Sequence, residues 1–147
     1  MIKRIALIIG ILAVVALSGC VGNSLNSSPP DYIKTISAVQ DGQGLQIYFI
    51  LADKSSAMTT SDGKFVLKMT QDGRTIYQSR LVNVTKSDFA QRSVGMGNFA
   101  HDVVMDYVGR IAYTDMRSIP KSGMGEVILT FTTPDGRVLD GKETVFF

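Results

Sequence analysis

Residues 127–147 read VILTFTTPDGRVLDGKETVFF, and the alternation within them decides the fold. Val127, Leu129 and Phe131 fall on one face of an extended chain, with Ile128 and Thr130 on the other. That is the period-two pattern of a β-strand. Thr133-Pro134-Asp135-Gly136 is turn chemistry, because Pro presets φ and Gly takes a positive φ without steric cost. The chain is therefore expected to return through residues 137–147 as an antiparallel partner.

The same grammar extends through the rest of the chain. Asp-Gly occurs five times, at 41–42, 62–63, 72–73, 135–136 and 140–141, and each is expected to be a turn. Residues 32–39 alternate in part, with Ile33 and Ile36 out of register as at a bulge. Residues 45–51 (LQIYFIL) are almost wholly apolar and predict a central strand covered on both sides. Phe65, Leu67 and Met69 share one face of the next strand, with Lys64, Lys68 and Thr70 outward or flanking. Residues 75–84 give one longer strand or two short ones, and residues 99–108 give another.

Helical periodicity nowhere runs beyond two turns. Single-turn candidates are residues 86–91, with Ser87 as N-cap, and residues 114–118. Seven or eight strands with turns every 8–12 residues predict an all-β fold. The expected form is an immunoglobulin-like or fibronectin-III-like antiparallel β-sandwich, with a small β-barrel as the alternative. With one Cys and no Trp, the chain lacks the disulfide and core indole of antibody domains.

The N-terminus follows a different logic. Lys3 and Arg4 precede an uncharged apolar run of 13 residues, 5–17, followed by Leu17-Ser18-Gly19-Cys20. A membrane-spanning helix needs about 20 apolar residues. Thirteen fit the h-region of a signal peptide, and Ser18 and Gly19 supply the small residues that a peptidase requires before its cut. The Leu17-Ser18-Gly19-Cys20 motif resembles the lipobox of prokaryotic lipoproteins. The resemblance implies removal of residues 1–19, a lipid on the Cys20 sulfur and a new N-terminus at Cys20. Two acyl chains suffice for stable anchoring. The implied location is the outer face of the cell membrane, or the outer membrane or periplasm in a Gram-negative envelope.

Residues 21–30 (VGNSLNSSPP) are small, polar and uncharged, so residues 20–30 are expected to form a lipidated, disordered tether ahead of a domain at 31–147. Such a coil spans on the order of 17–19 Å. The mature part resembles uncharacterised lipid-anchored immunoglobulin-like domains of archaeal and bacterial surfaces. The segments that carry the likeness are residues 48–53, 61–63, 86–89 and the C-terminal LTFTTPDGRVLDGKETVFF.

Charge excludes some partners. Lys+Arg number 15 and Asp+Glu 13; without Lys3 and Arg4 the domain is neutral. No basic footprint for nucleic acid is present. A single Cys and a single His rule out a cysteine-rich or multi-histidine metal centre. His101 and Asp102 are adjacent in a strand-like stretch and so face opposite ways, which leaves His101 without an orienting carboxylate. No catalytic residue is expected, and no cofactor beyond the covalent lipid. Acids at Asp53, Asp62, Asp102, Asp106 and Asp115 do not match an EF-hand spacing.

The candidate recognition positions are Met96 and Met124, each between two glycines. Each either presents an adaptable apolar tip or plugs the end of the sandwich. The C-terminal strand ending in Phe146 and Phe147 either pairs within the sheet or accepts a partner strand. Asn26 and Asn83 lie in glycan-acceptor sequons. The leading expectation is a non-enzymatic, lipid-anchored module that binds an envelope protein or polysaccharide. The alternatives are a calcium-dependent carbohydrate binder or small hydrolase using loop carboxylates, and an accessory subunit that docks on a membrane complex by strand addition.

Overall fold

The computed structural model describes residues 28–95 and 102–147. The segment expected to be a signal peptide, with Leu17, Ser18, Gly19 and Cys20, most of the expected tether, Met96 and His101 lie outside the described residues. Among the described residues there are ten strands: β1 (Tyr32–Gln40), β2 (Gly44–Ala52), β3 (Met58–Thr59), β4 (Gly63–Gln71), β5 (Arg74–Gln78), β6 (Val82–Val84), β7 (Phe89–Val94), β8 (Asp102–Ala112), β9 (Met124–Thr132) and β10 (Val138–Phe146). Eight are substantial, and β3 and β6 are short additions of two and three residues.

Two antiparallel sheets of five strands pack into an all-β sandwich. One runs β1-β2-β8-β7 with β3 on β2, and the other runs β10-β9-β4-β5 with β6 on β4. In order and connection these follow the ABED and CFG sheets of the immunoglobulin arrangement, with β5 as an extra edge strand. The sheets do not close on each other, which sets the barrel alternative aside.

Inward-facing residues recur with period two. Leu45, Ile47, Phe49 and Leu51 of β2 meet Phe65, Leu67 and Met69 of β4 and Val127, Leu129 and Phe131 of β9. Each such side chain contributes about 1.5–3 kcal/mol on burial. At the centre, the Phe49 ring stands edge-on to Phe65 at 5.4 Å and Phe89 at 5.8 Å, and stacks on Tyr107 at 4.9 Å.

The β1 register shifts between Ile33 and Thr35, which is the bulge that the broken alternation foretold. β2 is central and its core face is dry; on the other face Gln46, Tyr48 and Ile50 are half-buried, between buried Gly44 and Ala52. Three of the five Asp-Gly pairs make turns. Asp72 and Gly73 both have positive φ, 51° and 73°, as a two-residue hairpin turn demands. Asp62-Gly63 and Asp140-Gly141 instead lie at or within strands.

Neither single-turn helix stands as expected. Residues 86–88 form one 3-10 turn, N-capped by Thr85 rather than Ser87, and Phe89 onward is strand β7. The second turn is Tyr113–Asp115, one residue earlier than the expected start. Residues 28–30, read as tether, are held on the domain. Pro30 is fully buried, and the Ser28 carbonyl accepts the Thr59 hydroxyl at 2.5 Å.

Candidate functional site

The two flanks of the sandwich differ. On one, β1 and β10 lie side by side, and Gly141 of β10 is pressed against β1. A Cβ at Gly141 would meet Ile33 Cβ at 3.0 Å and Ile36 Cδ1 at 2.9 Å. On the other flank the sheets stand apart and leave a cavity of about 110 Å³ open to solvent.

Sequence builds that cavity by omission. The inward face of β8 carries Met105, Tyr107, Gly109 and Ile111, so a bare glycine falls in the core-facing row, where the edge of the Tyr107 ring lies over it. Gly109 stands opposite Ile47 in the β2–β8 register, at the middle of the wall. A glycine inside a strand commonly marks a place where another group approaches closely. Across the gap Ser79, just after β5, takes an inward position and is held there: its N–H donates to the Leu67 carbonyl at 2.8 Å and its Oγ accepts the Leu67 N–H at 2.9 Å.

The floor is Ile47, Phe49, Phe65 and Leu67, and the walls include Tyr77, Val82, Tyr107, Arg110 and Ile111. Neither phenol has a hydrogen-bond partner among the described residues. Burial pushes both phenol pKa values up, reinforced by the charge of Asp88 at Tyr107 and of Asp115 at Tyr77. The space can hold one small apolar body, and its walls offer two neutral phenol donors. It is too small for a drug-sized ligand, whose pockets run from about 300 Å³ upward.

Met124 is placed not in a loop but as the first residue of β9, 62% exposed, opposite Phe146 of β10. It therefore does not plug the sandwich. Phe146 is 73% exposed, whereas Phe147 packs against the core and exchanges two backbone hydrogen bonds with Gly123. Asn83 lies exposed on β6.

The acids considered as loop ligands are not brought together. Asp53 Oδ1 accepts the Ser55 and Ala57 N–H groups at 2.8 and 3.1 Å. Asp62 accepts the Lys86 N–H at 2.8 Å. Asp106, buried on the outer face of the first sheet, accepts Arg92 Nε and Nη2 at 3.0 and 2.6 Å. The Arg92 guanidinium also lies 4.2 Å above the Tyr48 ring. Among the described residues no three His, Cys, Asp or Glu side chains converge as a metal site would need.

The cavity carries no motif, and sequence reading passed over it. Its one signal was Gly109 interrupting the inward row of the β8 segment DVVMDYVGRIA. No protein-family model, curated protein or solved structure matches this chain.

Proposed function

We propose that the protein is a lipid-anchored, non-enzymatic binding module on the outer face of a prokaryotic envelope membrane, with an envelope protein or polysaccharide as partner. One observation carries the reading: the only cysteine of the chain follows Leu17-Ser18-Gly19 at the end of a short apolar run.

The arrangement of the domain supports it. Asp31 enters the fold at the end that holds the β9–β10 turn, where Arg137 lies 3.9 Å from Asp31. Residues 41–43, 72–73 and 113–123 and the C-terminus gather at the opposite end, as the pairings Gly44 with Ala112, Thr70 with Glu126 and Met124 with Phe146 require. A chain tethered at Cys20 would thus hold these loops and the exposed Met124–Phe146 pair away from the bilayer. Loops on a rigid scaffold are the usual seat of recognition.

The test is the fate of Cys20 in a prokaryotic host. Mass spectrometry of the membrane fraction is expected to give a chain that begins at acylated Cys20. Cys20→Ala is expected to leave the protein unprocessed. An unacylated, full-length wild-type chain in the soluble fraction would overturn the reading.

A further inference from the structure

We infer that the inter-sheet cavity is a binding site for a small molecule with a single aromatic ring and a carbonyl or carboxylate acceptor. The inference stands whether or not Cys20 carries lipid. Three observations converge on it. First, the void is specified by the chain: Gly109 on β8 and Ser79 after β5 are small residues at inward positions of opposite walls, and Ser79 is fixed by two hydrogen bonds to Leu67. Second, the size admits one ring with its substituted end left outside the enclosed volume. The cavity of about 110 Å³ is open on one side; an enclosed apolar cavity of about 150 Å³ accepts benzene. Third, the walls are aromatic and have polar handles. Phe49, Phe65 and Tyr107 offer ring faces and edges, and the Tyr77 and Tyr107 hydroxyls are donors without partners among the described residues. A ring would enter with its apolar edge toward Phe49 and Phe65 and leave its acceptor with the two phenols. The site excludes bulkier ligands by volume, and Arg110, paired with Asp41, is among the residues that line it.

The experiment uses the full chain in lipid nanodiscs, with 4-fluorobenzoate and fluorobenzene as the probes. Fluorine NMR titration is expected to show saturable binding of 4-fluorobenzoate, with cross-relaxation to Tyr107 and Ile111 protons. Val82→Phe, which fills the space, is expected to weaken binding at least tenfold in nanodiscs of the same lipid. Replacing Tyr77 and Tyr107 together by Phe is expected to abolish the preference for 4-fluorobenzoate over fluorobenzene while both still bind. Equal binding by wild type and Val82→Phe would show partition into lipid and overturn the inference. So would the absence of cross-relaxation to Tyr107 and Ile111 in the wild-type protein, which decides the matter even where Val82→Phe does not fold.

Discussion

Gly141 on β10 and Gly109 on β8 both take inward positions in mid-strand, opposite Leu129 and Ile47 respectively. At Gly141 the missing side chain is replaced by the neighbouring strand: Ile33 and Ile36 of β1 fill the space to within about a carbon–carbon contact, and the flank is shut. At Gly109 nothing replaces it except the edge of the Tyr107 ring, and the flank stays open. The same residue type thus closes a sandwich where two backbones converge and hollows it where they diverge. Which of the two happens depends on the opposite wall. Branched Ile33 and Ile36 stand across from Gly141, and small Ser79 lines the wall across the cavity from Gly109.

The sharpest way to break this contrast is to give both glycines side chains. Gly141→Val places a Cβ at or below 3.0 Å from Ile33 and Ile36, and Ile33 meets it with its own Cβ rather than with a flexible tip. The expected loss is about 1–3 kcal/mol of stability, as for other overpacked cores, read from urea denaturation. Wild-type stability in Gly141→Val would mean that the β1–β10 flank is loose.

Gly109→Ala is expected to move the other way and by less. Its Cβ meets only the Tyr107 side chain, Cε1 at 3.0 Å and the hydroxyl at 3.5 Å, on a ring edge that borders open space and can give by a few tenths of an ångström. Removing a strand-interior glycine recovers about 0.5–1 kcal/mol of chain entropy, so a small gain, below about 1 kcal/mol, is expected in the same denaturation series. A loss as large as that of Gly141→Val would make the two flanks equivalent and remove the contrast.

How much of this was legible in the sequence follows from how local each signal is. The β9–β10 hairpin and the core-facing triplets Phe65-Leu67-Met69 and Val127-Leu129-Phe131 could be read because alternation and a turn are short-range. The 62–63 and 140–141 turns failed for a long-range reason. Gly63 is needed where its Cβ would strike the Phe131 ring at 2.6 Å, and Gly141 where β1 presses in. Strand β7 was hidden because Gln91, Arg92 and Ser93 leave residues 89–94 (FAQRSV) without apolar alternation; pairing with β8, which sets Phe89 against Tyr107 in the core, makes it a strand. The cavity was least legible of all. It depends on Gly109 and Ser79 meeting across two sheets, and each looks like an ordinary residue in its own segment.

The smallest expected difference between the flanks is in their response to pH. At the open flank the folded protein holds Tyr77 and Tyr107 protonated, with their pKa values raised by burial and then by the charges of Asp115 and Asp88. An unfolded phenol ionises near about pH 10. Above that point the unfolded chain sheds protons that the fold retains, so this stabilisation is intact below it and fades as pH rises further. At the end of the sandwich where Asp31 enters, Asp135 goes the opposite way: the Thr133 hydroxyl and then Arg137 hold its carboxyl below the usual range. That contribution is present above the unfolded carboxylate value, near about 4, and is lost as pH falls. Asp135 is fully exposed, and only a slight acid effect is expected. Alkaline melting curves of wild type, compared with a chain carrying Tyr77→Phe and Tyr107→Phe, should therefore show a shallower loss in the double variant. In the wild type, Tyr77 and Tyr107 should give late phenolate absorbance that the double variant lacks. If the double variant lost no late absorbance, the two phenols would stand in open water, and the open flank would be a plain surface groove rather than a cavity walled by the core.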